Sequence, residues 1–390
     1  MSDRSTVFAQ IMHYLDPTEF ARCVARFAPL RHPRGLSTYD HFLALCFAQL
    51  TYRESLRDIA ACLNARPARS YHLGFRSNIT RTNLAYANRQ RDWRAFAAVA
   101  QLLIRKARRL YQTEVPHDPE MPAVVYALDA SIIELSLAAF PWARWQSSAA
   151  GMKLHSLLSL RGQVPVWAVV TEAGFPEQKT LDQVPLEPGA FYILDRGYLD
   201  FGRLARLDRA EVYFVVRSKC HVRFRVRTSR PVDKRTGLRC DQTIRLNSSW
   251  SRDAFPGALR RIRLRDEVAG RSLVLLTNHF ALPAHLIGEL YRRRWQVELF
   301  FKWIKQHLRL RGFFGRSPNA VRTQIWSAIC AYLLVAIARK RLGLSHSLHQ
   351  ILQIVSVSAF EQTPLPEMLA ESDRKTLSNP SPNQLCFNGI

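Results

Sequence analysis

The 390-residue chain is short of several things. Cysteine occurs seven times, at positions 23, 46, 62, 220, 240, 330 and 386, an odd number without paired metal spacing. That scatter argues against a disulfide scaffold and a zinc finger, and fits a reducing compartment. Long apolar runs are scarce too. The longest uncharged one, Ile325 to Ala338, is too short to span a bilayer and reads as a buried helix. No charged-then-apolar leader opens the chain, so no secretion signal is expected. Repeats and low-complexity tracts are missing. Acids are outnumbered, 31 against 56 lysines and arginines, which leaves a formal net charge of +25.

What is present supports folded units. Hydrophobic residues make up 47%, enough for real cores, and the length suggests two or three domains. The charge is spread unevenly. Residues 1–110 hold 18 Lys and Arg against 7 Asp and Glu, residues 111–200 hold 5 against 11, and residues 201–320 hold 27 against 9. Two basic segments therefore flank an acidic one. Basic surface of this kind points to polyanions, nucleic acid first. The expected setting is cytoplasmic and nucleoid-associated, with no membrane.

Residues 1–110 read as helical, punctuated by prolines. Ser55 can cap a helix whose Leu56, Ile59, Ala60 and Leu63 share one face. A second helix opens near Thr80 and carries Arg81, Arg89, Arg91 and Arg94. Two short helices with a basic second member suggest either a DNA-binding helix-turn-helix or an ordinary bundle with solvated arginines, and the local charge favours DNA. Residues 111–122 form a Pro-containing linker.

The period then changes. The apolar run 123–128 ends at Asp129, residues 153–160 and 164–170 make a hairpin, and 191–194 is a buried strand ending at Asp195. Carboxylates delivered by apolar strands are costly unless a cation is near. Residues 211–277 are strand-like, with Arg223, Arg225 and Arg227 alternating with apolar residues, and Arg261, Arg263 and Arg265 doing so again. Period two puts each arginine row on one side with apolar packing beneath, a platform for phosphates.

A helix is expected over 283–308. Tyr291, Arg294, Glu298 and Lys305 fall within an arc of roughly 60° at 100° per residue. Three convergent carboxylates, Asp129, Asp195 and Glu298, could not all stay ionised without cations. Oxygen donors of this type suit Mg²⁺, and two ions could drive an in-line displacement at phosphorus. His155 and His307 lack metal-spaced partners and read as satisfied or solvated histidines. Ser131 lies in no hydrolase elbow.

These residues resemble a known family. The chain is similar to bacterial insertion-sequence DDE transposases of the insertion-sequence-four family, marked by Tyr, two residues, Arg, three residues, Glu, six residues, Lys. Tyr291, Arg294, Glu298 and Lys305 match that spacing, and Asp195-Arg196-Gly197-Tyr198 matches the context of its second aspartate. The resemblance implies an α/β ribonuclease H-like catalytic core (123–210 and 278–345) with a β-rich insert (211–277). An all-α end-recognition domain (1–110) would precede the core, and a C-terminal segment (346–390) would close the chain. It also implies catalytic and metal-binding roles for Asp129, Asp195 and Glu298, with two Mg²⁺ ions replaceable by Mn²⁺.

The remaining roles follow from the charge pattern together with this resemblance. DNA contacts are expected at Tyr291, Arg294, Lys305, Arg223, Arg225, Arg263, Arg81 and Arg91. Base stacking is expected at Trp250, the tryptophan of the insert, with plain packing as its alternative. Partners would be double-stranded DNA, both terminal inverted repeats and target, handled by a homodimer in a paired-end complex. The expected activity is cut-and-paste transposition. Two alternatives stand beside it: a DNA-binding regulator with a decayed catalytic fold, and a two-metal nuclease without strand transfer.

Overall fold

The computed structural model describes residues 5–27, 35–65, 67–112, 121–266, 270–307 and 312–370. Seven helices come first: α1 (Val7–Met12), α2 (Pro17–Ala25), α3 (Thr38–Leu50), α4 (Leu56–Asn64), α5 (Pro67–His72), α6 (Arg81–Gln90) and α7 (Trp93–Tyr111). The strands β1 (Val125–Leu135), β2 (Arg144–Gln146), β3 (Ala149–Ser159), β4 (Val164–Glu172) and β5 (Phe191–Leu194) follow. After α8 (Phe201–Arg209) come β6 (Tyr213–Arg217), β7 (Phe224–Arg230) and β8 (Leu238–Leu246). Then α9 (Ser249–Ala254), β9 (Leu259–Asp266) and β10 (Arg271–Thr277) lead to α10 (Ala284–Arg292), α11 (Trp295–His307), α12 (Pro318–Arg341) and α13 (Leu348–Ser358).

The chain divides into two units, residues 1–103 with 307–390, and residues 104–306. The first unit is helical. Ser55 accepts the Asp58 N–H at 3.1 Å, and α4 buries Leu56, Ile59, Ala60 and Leu63, as its spacing predicts. Thr80 and Asn83 close a reciprocal capping box that starts α6. At the centre stands α12, buried from Thr323 to Ala338 and packed against α1, α3, α6 and α13. By length and composition α12 could cross a membrane, but 94% of that window is buried in protein, which marks a core helix.

The second unit is built on one ten-stranded sheet, ordered β2-β3-β1-β5-β6-β10-β9-β8-β7 with β4 on the free side of β3. Strand β3 runs antiparallel to both β1 and β4, whereas β5 pairs parallel to β1 and β6 parallel to β5. Buried Tyr192, Leu194, Leu204, Leu207, Phe214 and Val216 form its core. Each fully buried leucine or valine contributes about 1.5–3 kcal/mol relative to exposure.

The sequence-based boundaries need four corrections. β6 belongs to the parallel core rather than to an insert starting at 211, because its apolar residues continue the register of β5. α12, expected with residues 278–345, packs with α1, α3, α6 and α13 in the helical unit, since a helix apolar all round must be surrounded. Between α4 and α6 lies α5, so those two are not consecutive helices. The helix expected over 283–308 is broken at Arg293–Arg294, where i→i+3 bonds from Arg294, Gln296 and Val297 tighten the turn. Linker residues 113–120 and tail residues 371–390 lie outside the described residues.

Candidate active site

The site begins with strand register. β1 and β5 pair in parallel from Val125↔Phe191 to Leu128↔Leu194, and the next residue on each strand is an aspartate. Asp129 and Asp195 therefore stand side by side where that pairing ends. Asp129 does not end its strand: β1 runs on to Leu135, still paired with β3. Asp195 sits at the start of the short 3₁₀ turn Arg196–Tyr198.

Glu298 comes from the first turn of α11. Between the carboxylates lies Arg294, in the tightened turn. Its Nη1 donates to Asp129 Oδ2 at 2.8 Å, and its Nη2 donates to Glu298 Oε1. Arg294 and Asp129 are each 16% exposed at the side chain. The Tyr291 hydroxyl donates to Asp195 Oδ1 at 3.2 Å, and the Arg294 guanidinium stands 5.9 Å from the Tyr291 ring centre. The broken helix thus brings Tyr291, Arg294 and Glu298 together with both aspartates.

The electrostatics match this crowding. The Asp129 carboxyl is pushed up to about 6, first by burial and then by the Asp195 and Glu298 charges, against the lowering effect of Arg294 and the Ala130 N–H. Burial opposes the Arg294 charge, yet the surrounding acids hold its pKa above the ordinary value. The Tyr291 hydroxyl is raised first by burial and then by Asp195. Lys305 is half-buried farther along α11. Burial lowers its pKa while Glu134 of β1 raises it, so its local counter-charge is Glu134.

Sequence reasoning missed several residues around the aspartates. Arg217 ends β6 one position past the Leu194↔Val216 pair, and its charge bears on the Tyr291 hydroxyl. Lys153 of β3 is 8% exposed and donates to the Phe175 carbonyl at 3.0 Å and to Glu177 Oε1 at 3.4 Å. The other Glu177 oxygen lies against Gly197, where an added Cβ would stand 2.6 Å from it. A side chain at Gly197, two residues after Asp195, would therefore displace the Glu177 carboxylate from this turn. A lysine opening the buried strand segment 153–160 was the available signal.

The other expected contacts lie elsewhere. Arg81 and Arg89 are exposed on α6. Arg91 follows α6 and is committed to structure: it donates to the carbonyls of Ser37, at 2.8 Å, and of Leu36. Arg94 opens α7 and pairs with Asp92. In β9, Ile262 and Leu264 are buried while Arg263 and Arg265 are exposed, as the alternation predicts.

β7 departs from that pattern. Val226 is 45% exposed beside exposed Arg225 and Arg227 on this edge strand, whereas Val222 and Phe224 of the same apolar row pack against the core. Arg223, just before β7, is exposed. Trp250 on α9 is 66% exposed, its ring edge-on to Phe201 at 6.4 Å. His155 is a buried core histidine bonded to the Thr171 hydroxyl at 2.9 Å, and the side chain of His307 lies outside the described residues.

Residues 120–334, over half the chain, match the family model described as a transposase DDE domain. The chain belongs to the DDE transposase family. Residues 3–76 match a domain family of unknown function, DUF4372. This DDE transposase is 31% identical to a protein of Sinorhizobium fredii named as transposase y4zB, over 78% of this chain and 85% of that one. It is 28% identical to a protein of Geobacillus stearothermophilus named as a transposase for insertion sequence element IS5377, over 55% and 56%. A shorter match, 24% of each chain at 29% identity, is to transposase InsG for insertion sequence element IS4 of Escherichia coli.

Membership of this family makes the protein a DNA-binding, DNA-cleaving enzyme and implies dependence on a divalent metal. The donor set fits such an ion. Asp129, Asp195 and Glu298 offer hard oxygen ligands, and one guanidinium faces three acids, leaving a charge deficit a divalent cation would fill. As they stand, no three acidic, histidine or cysteine side chains among the described residues are grouped around a single ion position. The Arg294 guanidinium lies between Asp129 and Glu298.

Proposed function

We propose that this transposase belongs to the insertion-sequence-four group and moves its element by cut-and-paste transposition. On this reading Tyr291, Arg294, Glu298 and Lys305 form the signature of that group. The observation that carries the reading is the convergence of Tyr291 on Asp195 and of Arg294 on Asp129 and Glu298, across 96 and 165 residues of chain. The core is ribonuclease H-like. Three antiparallel strands followed by two parallel ones, in the order β4-β3-β1-β5-β6, support that reading.

Asp129, Asp195 and Glu298 would hold two Mg²⁺ ions, or Mn²⁺ in their place. Bound there, such ions would activate a water or a 3′-hydroxyl and stabilise the leaving oxygen. Arg294 holds Asp129 and Glu298 in place, and Tyr291 orients Asp195. Lys305, Arg223, Arg225 and Arg263 contact DNA phosphates, Trp250 stacks on a base, and the helical unit reads the terminal repeats through Arg81 and its neighbours. Arg91 serves this surface indirectly, by holding the chain at Leu36 and Ser37. Two copies act on paired ends in the nucleoid.

Incubating the protein with Mg²⁺ and a duplex carrying the element's end tests the cleavage half. Adding target DNA tests the joining half. Cleavage products without joined products would reduce the activity to that of a nuclease.

A further inference from the structure

α10 carries Tyr291 and leads into Arg294, so whatever seats α10 decides where both side chains reach. Two features of strands β8 and β9 provide the seat. Gly288, in the middle of α10, lies against Leu264 of β9: a Cβ added there would stand 2.8 Å from Leu264 Cδ1. Leu264 is itself buried, so it has little room to yield. The glycine lets helix and strand approach more closely than any other residue would.

The second feature is Arg260 of β9, 3% exposed. Its Nε and Nη2 donate to the two carboxylate oxygens of Asp241 on β8, at 2.8 and 2.7 Å. Its Nη1 donates to the carbonyls of His279, Phe280 and Leu282 at 3.4, 3.2 and 2.5 Å. Those carbonyls belong to the strap joining β10 to α10. A buried guanidinium is costly unless paired and fully hydrogen-bonded, and this one is both. It ties the entry of α10 to the β8–β9 hairpin.

We propose that the β8–β9 hairpin is a positioning device for the catalytic carboxylates, in which Gly288, Arg260 and Asp241 seat α10. The Tyr291 hydroxyl then meets Asp195, and Arg294 reaches Asp129. The inference rests on the reading of Asp129 and Asp195 as catalytic residues. None of the three seating residues touches a reacting atom. They act through Tyr291 and Arg294.

The test uses the full-length protein with Mg²⁺ and an end duplex, measuring single-turnover cleavage at saturating DNA, DNA affinity and thermal melting. Gly288→Ala should slow cleavage by about ten- to a hundredfold while DNA affinity stays within about twofold, as expected when a reacting group is misplaced by a fraction of an ångström. Removing the clash with a second change, Leu264→Ala, should bring the rate back to within about threefold of the Leu264→Ala single variant, since contacting residues couple. Arg260→Lys, which loses the fork, should show the same loss of rate at unchanged affinity.

Wild-type cleavage by Gly288→Ala would overturn the proposal, and so would a folded double variant no faster than Gly288→Ala. If Gly288→Ala fails to fold, the double variant decides: folded and fast supports the seat, folded and slow removes it. Asp195→Asn separates this inference from the reading beneath it. Full cleavage by Asp195→Asn would sink the assignment of the site, whereas a dead Asp195→Asn beside a fully active Gly288→Ala would sink the seat alone.

Discussion

Arg294 bridges Asp129 and Glu298, with its Nη1 2.8 Å from Asp129 Oδ2 and its Nη2 on Glu298 Oε1. One guanidinium thus joins the middle of the first core strand to the first turn of a helix far along the chain. It is the cation that lets two carboxylates remain close before any metal arrives.

Arg294→Ala should therefore destabilise the metal-free protein by about 3 kcal/mol, the usual cost of breaking a largely buried ion pair. A divalent ion would replace the missing charge. Mg²⁺ should accordingly raise the melting temperature of Arg294→Ala more than that of the wild type, read by calorimetry with and without chelator. Equal metal shifts in the two proteins would contradict the charge-placeholder role.

The Asp129 carboxyl gives a pH prediction with a definite sign. Its folded pKa of about 6 lies above its ordinary value of 3.8, so the folded state binds the proton more tightly. The stability this contributes is complete below about pH 3.8 and is lost as pH rises through about 6, amounting to about 3 kcal/mol. Denaturant titrations of metal-free protein between pH 4 and 7 should show that slope, and Asp129→Asn should abolish its share. Saturating Mg²⁺ should flatten it by competing with the proton.

The helical unit yields a prediction about truncation. α12 is the core helix against which α1, α3 and α6 pack, so a fragment ending at residue 110 would leave their apolar faces in water. It should be unfolded by circular dichroism. A chain that rejoins residues 5–110 to 312–370 should fold and prefer terminal-repeat duplex. Cooperative melting of the shorter fragment would contradict this packing account.

Within that unit the arginines separate by role. Arg91→Ala removes the donors to the Ser37 and Leu36 carbonyls and should cost about 1–3 kcal/mol of stability. Arg81→Ala and Arg89→Ala should leave stability alone and each reduce the salt slope of DNA binding by about one. A salt slope altered by Arg91→Ala at unchanged stability would reverse the assignment.

Much of this was legible in the chain itself. Apolar runs ending in Asp129 and Asp195 mark buried strands, because strands buried on both faces lose their alternation, while their parallel pairing shows only in the sheet. Ser55 and Thr80 mark helix starts, because a side-chain acceptor there satisfies an otherwise unpaired N–H. The spacing from Tyr291 to Lys305 placed three of its four residues near the aspartates.

What escaped depends on long-range contact. No local signal says that α12 is surrounded by the first hundred residues, or that β6 continues the register of β5. The tightened turn at Arg293–Arg294 follows from no proline or glycine. Arg260 falls on the apolar face with Ile262 and Leu264, opposite the arginine row, and only the sheet shows Asp241 there to pair it.

The central claim is that Asp129, Asp195 and Glu298 supply negative charge for divalent ions that cut DNA at the element's ends. Its most direct measurement is Mg²⁺-dependent cleavage of an end duplex by the wild type and by Asp129→Asn, Asp195→Asn and Glu298→Gln, with DNA binding measured in parallel. The account predicts cleavage by the wild type alone, a loss of at least about a thousandfold in each variant, and end binding preserved throughout. Cleavage at the wild-type rate by any of the three would contradict it.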